Sequence, residues 1–526
     1  MKVLISDPIA KEGIDILKEA GLEVIERPGL PKEELLEAIK EVEAIIIRSA
    51  TKVTAEVIEA AKNLKVIARA GTGLDNVDIE AANRRGIVVM NCPGGNTISA
   101  AEHTISMMLA LARNIPQATA SMKAGKWEKK KFMGREITGK TLGVIGLGRI
   151  GSVVADRAKG LKMRVIAYDP YVNPEQAARM GIEIMSLDEL LPQADFVTVH
   201  VPLTKETRGF INKEVFDKMK DGAMFIHCAR GGIVNEADLY EALKSGKLAG
   251  AALDVFEQEP PPEGYPLLQL NNVICTPHLG ASTVEAQKNV ALAIASQVVD
   301  FLLHGVVRNA VNMPSVSAEQ MAVLKPFLIL GEKLGALQAQ LAEGPIQEVH
   351  IEYQGDVAEM DTKPITVALL KGLLTPALQE DVNYVNAPIR AQERGIKVTE
   401  SRTSSTEDFI NLIKVLVKYP KGENVVAGTI FGKKEPRIVQ INDFRLDAVP
   451  EGHMLYIMNE DRPGVIGSIG ITIGEAGVNI SRMHVGQEPS KKCNIILLCL
   501  DSEASEELLQ KLATLPHVFS VKALEL

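Results

Sequence analysis

Two hydrophobic periods alternate along the first part of the chain. KVLISD, LEVIE, AIIIRS, LKVIARAG and IVVMN are continuously apolar or nearly so, as strands buried on both faces of a parallel sheet are. Between them GIDILKEA, KEELLEAIK and TAEVIEAAK return an apolar residue at helical spacing. The rhythm resumes after about residue 138 with KTLGVIGLG, MRVIAYD, ADFVTVHVP, AMFIHCA, LAGAALDVF and NVICTPH. Strands alternating with helices predict a parallel α/β sheet covered on both faces, here twice over. The apolar segment NTISAAEHTISMMLALARNI suits one long helix bridging the two.

Around residues 305–318 this rhythm stops. A helical stretch, MAVLKPFLILGEKLGALQAQL, and two strand signals, IQEVHIEYQGD and RIVQINDFRLDAV, follow up to about residue 452. The last seventy or so residues read strand, helix, strand, strand, helix, strand, a ferredoxin-like βαββαβ module. The fold class is therefore α/β: two doubly wound, Rossmann-like parallel-sheet domains, then an α+β region and the small module.

Composition adds exclusions. The net charge of −9 over 526 residues argues against a whole-chain nucleic-acid binder, which needs a basic face. No apolar run reaches a membrane span, and the N-terminal one is too short for a signal-peptide core. Five cysteines without a CxxC pair or metal spacing read as reduced thiols in a cytoplasmic protein, with no metal site.

The first chemical signature is GLGRIG, between the strand KTLGVI and a helix. Gly146 permits a tight turn, Gly148 lets backbone approach a pyrophosphate, and Gly151 allows helix and strand to pack closely. Asp169 ends the next strand, where it would bind the adenine ribose hydroxyls and repel a 2′-phosphate, favouring NAD over NADP.

Three charged residues then follow later strands of the same sheet: Arg230 in HCARGG, Glu259 in DVFEQEP and His278 in TPHLGAST. Strand carboxyl ends form the ligand crevice of such sheets. Oxidising an alcohol needs a base for the hydroxyl proton, suited to His278, and a carboxylate to orient it, suited to Glu259. It also needs a cation for the substrate's carboxylate, suited to Arg230. Gly231 and Gly232 are expected to leave room for substrate and cofactor beside Arg230. Ser282 with Glu285 reads as a capping box opening the next helix. Arg48 and Arg69, each ending a strand, and the basic run Lys126, Lys129, Lys130, Lys131 and Arg135 around Trp127 suggest a substrate more anionic than a monocarboxylate.

GLGRIG with Asp169, HCARGG, ALDVFEQEP and TPHLGAST together resemble the D-isomer-specific 2-hydroxyacid dehydrogenases over about residues 1–310. The resemblance implies Arg230, Glu259 and His278 as the catalytic set. It implies cofactor contacts at Thr72, Gly146, Gly148, Arg149, Ile150, Gly151, Asp169, Val201, Pro202, Thr207, Cys228, Ala229, Arg230, Asp254, His278 and Gly280. It implies substrate contacts at Arg48, Arg69, Gly71 and Asn96. It also implies a discontinuous substrate domain, 1–97 with 291–314, around an NAD domain, 98–290.

The tail NEDRPGVIGSIGITIGEAGVNISRMHVG resembles the ACT regulatory module. The resemblance implies a ligand held between two such modules by Asp461 and Asn479, and Asn459 stands where some relatives carry tyrosine. The implied arrangement is an intervening domain at 315–452 and an ACT domain at 453–526. Within the family this tail resembles the long branch that oxidises 3-phosphoglycerate to 3-phosphohydroxypyruvate, the first step toward L-serine. That resemblance implies L-serine as effector and a homotetramer. Two alternatives stay open on sequence: a glyoxylate or hydroxypyruvate reductase, and an NAD-sensing corepressor scaffold.

Overall fold

Continuous apolar strands separated by amphipathic helices build two parallel sheets. The computed structural model describes residues 1–314, 318–378, 382–406, 408–432, 434–488 and 490–526. Strands β1 Lys2–Ile5, β2 Glu23–Glu26, β3 Ala44–Ile47, β4 Val66–Arg69 and β5 Val88–Met90 pair in parallel in the order β2-β1-β3-β4-β5. Seven more form the second sheet: β6 Thr141–Ile145, β7 Arg164–Tyr168, β8 Glu183–Ile184, β9 Phe196–Val199, β10 Ala223–His227, β11 Leu248–Leu253 and β12 Val273–Cys275. Their order, β12-β11-β10-β9-β6-β7-β8, reverses at β6, which opens a crevice beyond the carboxyl ends of β6 and β9.

The bridging segment is two helices. Helix Thr97–Ala112 buries Met107, Met108 and Leu111 against Leu142 and Val144 of the second sheet. Asn114 at φ 52 then turns the chain into helix Ile115–Lys123, since Asn adopts the left-handed conformation at little cost. The boundary expected at 290/291 falls inside one helix, Val284–His304. That helix packs Val290, Ile294, Ala295 and Val298 against Val3, Ile5 and Leu17 of the first sheet's unit. Its N-cap is Thr283, whose hydroxyl accepts from Ala286 N; the expected capping box on Ser282 does not form, because the helix starts one residue later.

Beyond it, helix Ala318–Leu341 lies on a ten-stranded sheet. Its strands are β13 Glu348–Gly355, β14 Lys397–Thr403, β15 Asn411–Tyr419, β16 Gly422–Phe431, β17 Glu435–Ile441, β18 Phe444–Ala448, β19 His453–Glu460, β20 Ile480–Gln487, β21 Cys493–Leu500 and β22 Val518–Glu525. The order is β14-β13-β15-β16-β17-β18-β20-β21-β19-β22. The terminal βαββαβ module thus has the ferredoxin-like order β20-β21-β19-β22. It joins the preceding region through the pair Arg445 and Gln487. One core runs under both: Leu330, Leu334 and Tyr353 share a cluster with Met454, Tyr456, Leu497 and Leu524.

Candidate active site

Each glycine of GLGRIG has a separate physical reason. Gly146 sits at φ 94, and a Cβ there would lie 2.9 Å from the His200 carbonyl and the Val201 side chain. A Cβ on Gly151 would lie 2.0 Å from Gly146 O, so helix Arg149–Gly160 meets β6 at backbone distance. Gly148 has nothing within 4 Å of its Cβ direction and caps that helix with no side chain. The open side, with unsatisfied N–H groups of the first turn, fits a pyrophosphate. Arg149 is exposed there, and Ile150 is half-buried against the core behind it.

Asp169 follows β7. Its Oδ2 accepts from Leu147 N (2.8 Å) and its Oδ1 from Tyr171 N (2.9 Å), which fixes the carboxylate beside the glycine turn. Opposite, Val201 and Pro202 follow β9, and Thr207 Oγ1 braces their turn by donating to Pro202 O at 2.6 Å. Cys228 and Ala229 form a buried wall. Burial pushes the Cys228 thiol up to about 12, so it stays a protonated, inert group. Across the cleft Thr72 Oγ1 donates to Asn96 Oδ1 (2.9 Å) and Asn91 Nδ2 donates to Thr72 O (2.6 Å).

The three charged residues meet. His278 Nδ1 lies 2.7 Å from Glu259 Oε2, and Glu259 Oε1 accepts from Phe256 N at 3.1 Å. The His278 backbone is left-handed, φ 53. The Glu259 hydrogen bond raises the His278 pKa above its ordinary value against the opposing effect of burial. Burial, the largest single effect, pushes the Glu259 carboxyl up, yet the hydrogen bonds from His278 and Phe256 N with the His278 charge together outweigh it, and the net direction is down. The pair therefore favours imidazolium beside carboxylate, with His278 Nε2 left for a substrate.

Arg230, three residues past β10, donates from Nη1 to Ala229 O (2.7 Å), and its Nε stands 3.7 Å from Asp75 Oδ2. Arg69 is largely buried, and its pKa is lowered by burial first and by the nearby Arg230 next, with Arg48 adding to it. Its Nε finds no partner among the described residues. Two glycines admit these guanidiniums: a Cβ on Gly71 would lie 2.9 Å from Arg69 Nη1, and one on Gly73 the same distance from Arg230 Nη2. Arg48 is set by Asp7, which accepts from Arg48 N at 2.6 Å, and by Asn76, which donates to Arg48 O at 2.7 Å. Three mutually repelling cations at the edge of one crevice call for an anionic ligand.

Two expectations change, and a third set of residues is placed. Gly231 and Gly232 do not make room for ligands: a Cβ on Gly231 would lie 1.8 Å from Phe256 O, and Gly232 turns at φ 82. Gly231 lets the Arg230 loop pack on the loop that carries Glu259, and Gly232 makes the turn beside Arg208 and Leu203. The basic run does not join Arg48 and Arg69 within the chain, because it leaves in another direction. Arg135 donates to Gly222 O at the amino end of β10, Lys131 faces Glu128, and Trp127 is 81% exposed. Asp461 and Asn479 lie at opposite ends of the terminal module. Asp461 N donates to Lys492 O beside the start of β21, whereas Asn479 Nδ2 donates to Asp501 Oδ2 beyond its end. Asn459 is 1% exposed. Asp75, Thr276 and His103 join the site without a motif of their own; only the string GTGLDNVD, glycines and acids directly after the strand that ends in Arg69, carries a signal for the first.

Residues 105–280 match the family description of the D-isomer specific 2-hydroxyacid dehydrogenase NAD binding domain, and residues 323–442 that of the D-3-phosphoglycerate dehydrogenase intervening domain. The chain is 49% identical to D-3-phosphoglycerate dehydrogenase of Archaeoglobus fulgidus, with all of both chains covered. It is 42% identical to that of Bacillus subtilis, over all of this chain and 99% of the relative. Among solved structures, the NAD+-bound 3-phosphoglycerate dehydrogenase of Entamoeba histolytica superposes with a TM-score of 0.51 at 34% identity, covering 60% of this chain and 99% of that one. With the cradle, the charged trio and full-length kinship in hand, the chain belongs to the D-3-phosphoglycerate dehydrogenase family, within the D-isomer-specific 2-hydroxyacid dehydrogenases.

Proposed function

We propose that the chain oxidises 3-phospho-D-glycerate at C2 to 3-phosphohydroxypyruvate with NAD+, the entry step to L-serine, in the cytoplasm. The observation that carries this is the meeting of His278, held by Glu259, with the three arginines 48, 69 and 230. NAD+, when bound, supplies the hydride acceptor; Gly146, Gly148, Arg149, Ile150, Gly151 and Asp169 would hold its adenosine and pyrophosphate side. Val201, Pro202, Thr207, Cys228, Ala229, Asp254 and Gly280 would wall the side nearer the reaction. Arg230 binds the substrate carboxylate and the oxygen at C2, and His278 Nε2 takes the C2 hydroxyl proton while C2 loses hydride. Glu259 holds the imidazolium that results. Arg48 and Arg69, with Gly71, Thr72 and Asn96 lining their side, face the rest of the anion.

L-Serine is the proposed effector and a tetramer the proposed assembly. Asp461 and Asn479 are separated by the length of an eight-residue strand, roughly 25 Å. One small molecule cannot touch both in one copy, so a serine site built on them needs two copies of the terminal module. NADH appearance with 3-phosphoglycerate, drawing off product with hydrazine, tests the reading. Turnover lost in His278→Gln and suppressed by L-serine is expected. NADH appearance with glycolate but not with 3-phosphoglycerate overturns the substrate, and unchanged turnover in His278→Gln overturns the site.

A further inference from the structure

The loop that carries His278 is held from outside the reacting trio. Asp254, 1% exposed, stands at the end of β11. Its Oδ1 accepts from Leu279 N (2.7 Å) and from Thr276 Oγ1 (2.6 Å), and its Oδ2 accepts from Gly280 N (2.9 Å). His278 N donates to the Asp254 carbonyl at 3.0 Å. These anchors bracket His278 and impose its left-handed backbone, an unfavourable conformation for a residue with a side chain. On the same carboxylate stands one more side chain. His103, on helix Thr97–Ala112, places Nε2 3.0 Å from Thr276 Oγ1 and 3.2 Å from Asp254 Oδ1. The Thr276 proton is spent on Asp254, so His103 Nε2 faces two acceptors and must itself carry a proton.

We propose that His103 is a positioning residue for the dehydrogenase reaction: its Nε2–H completes the bonding of Thr276 and Asp254, and through them aims His278. The inference rests on reading His278 as the proton acceptor. A buried carboxylate needs every such donor. Burial pushes Asp254 up, and the hydrogen bonds from His103, Thr276 and Leu279 N outweigh it to bring the net direction down. The other titratable groups that sense Asp254 are His278, Glu259, His227 and Cys228. Of these, none donates a hydrogen bond to its carboxylate among the described residues. If Asp254 takes up a proton, it loses acceptor capacity toward the loop amides, and the left-handed turn at His278 loses its support.

The test uses the full chain, both reaction directions and substitutions at His103 and Thr276, with His278→Gln beside them. Reduction of 3-phosphohydroxypyruvate needs His278 protonated, so its acid limb is not set by His278 and reports the carboxylates instead. His103→Leu is expected to lower kcat about 10- to 100-fold, the scale of a small misplacement of a catalytic group. It is expected to change KM for the hydroxy acid little and to move the acid limb of reduction to higher pH. His103→Gln, which keeps an N–H at that reach, is expected to restore most of the rate and the original limb. Thr276→Val leaves His103 in place but breaks the relay, and is expected to move the limb as His103→Leu does; with His103→Gln it decides the matter if His103→Leu does not fold. A limb unmoved in both His103→Leu and Thr276→Val overturns the proposal, as does a His103→Gln enzyme no better than His103→Leu. Full turnover in His278→Gln would instead sink the reading of His278, whatever His103 does.

Discussion

The residue pair His278 and Glu259 sets the pH behaviour of the site. Oxidation needs neutral His278, whose pKa is raised by Glu259, so oxidation rises as pH climbs through that raised value, and reduction falls over the same range. Glu259→Gln removes the charge responsible. The shared limb is then expected to move to lower pH and kcat to fall, measured as kcat/KM profiles in both directions. Arg230→Lys exchanges a fork for a point charge and is expected to raise KM for the hydroxy acid about 10- to 100-fold, the worth of a charged hydrogen bond. Two further histidines are legible only in three dimensions. His227 is buried, and His200 is half-buried with its Nδ1 enclosed and unpartnered among the described residues; burial pushes His200 down to about 3 and His227 to about 4 from 6.5. Below pH 6.5 the unfolded chain takes up protons that the folded chain refuses. Stability present above 6.5 is therefore lost as pH falls toward 4, by about 1.4 kcal/mol per unit for each ring. His227 Nε2 also lies 3.0 Å from Arg230 O. Thermal melting across this range checks the slope, and His227→Asn is expected to flatten it.

Elements were read well where one period ruled. The parallel strands announce themselves as unbroken apolar runs, because burial on both faces leaves no polar alternation. The terminal module was equally plain. The strands β14, β15 and β16 went unread, although Ile413, Val415 and Val417 alternate inward along β15. The glycines of GLGRIG were understood in type from sequence, but the pair after Arg230 was not. Whether a glycine faces a ligand or a neighbouring backbone depends on which loop packs there, and Phe256 is remote in sequence. The first motif allows a sharp contrast. Gly151→Ala forces a Cβ against Gly146 O and is expected to lower both Tm and NADH affinity. Gly148→Ala meets no atom within 4 Å among the described residues and is expected to keep Tm while weakening NADH, read by fluorescence titration. Equal effects of the two would contradict the assignment of that open face to pyrophosphate.

On the scale of the whole molecule, sequence periods suggest four beads, whereas the packing joins the last two. The β18–β20 pairing and the apolar cluster common to both join the two parts of the region after residue 318. Gln340 and Glu525 exchange two bonds of 2.9 Å across it. A chain ended at residue 452 is therefore expected to aggregate or melt early, with the end of helix Ala318–Leu341, where Leu341 O accepts from Lys522, losing part of its cover. In the intact chain the two parts are expected to unfold in a single calorimetric transition. The basic run around Trp127 was not placed by the sequence, which shows which groups are present but not which way they leave the fold; Asp461 and Asn479 stand at opposite ends of β21. That separation has a further consequence. A small molecule gripped by Asp461 of one copy and Asn479 of another would act as molecular glue. By thermodynamic reciprocity it would tighten self-association by the same factor that self-association tightens its own binding. Its apparent potency would then rise with enzyme concentration and fade on dilution, so two laboratories working at different dilutions would measure different sensitivities in one and the same protein.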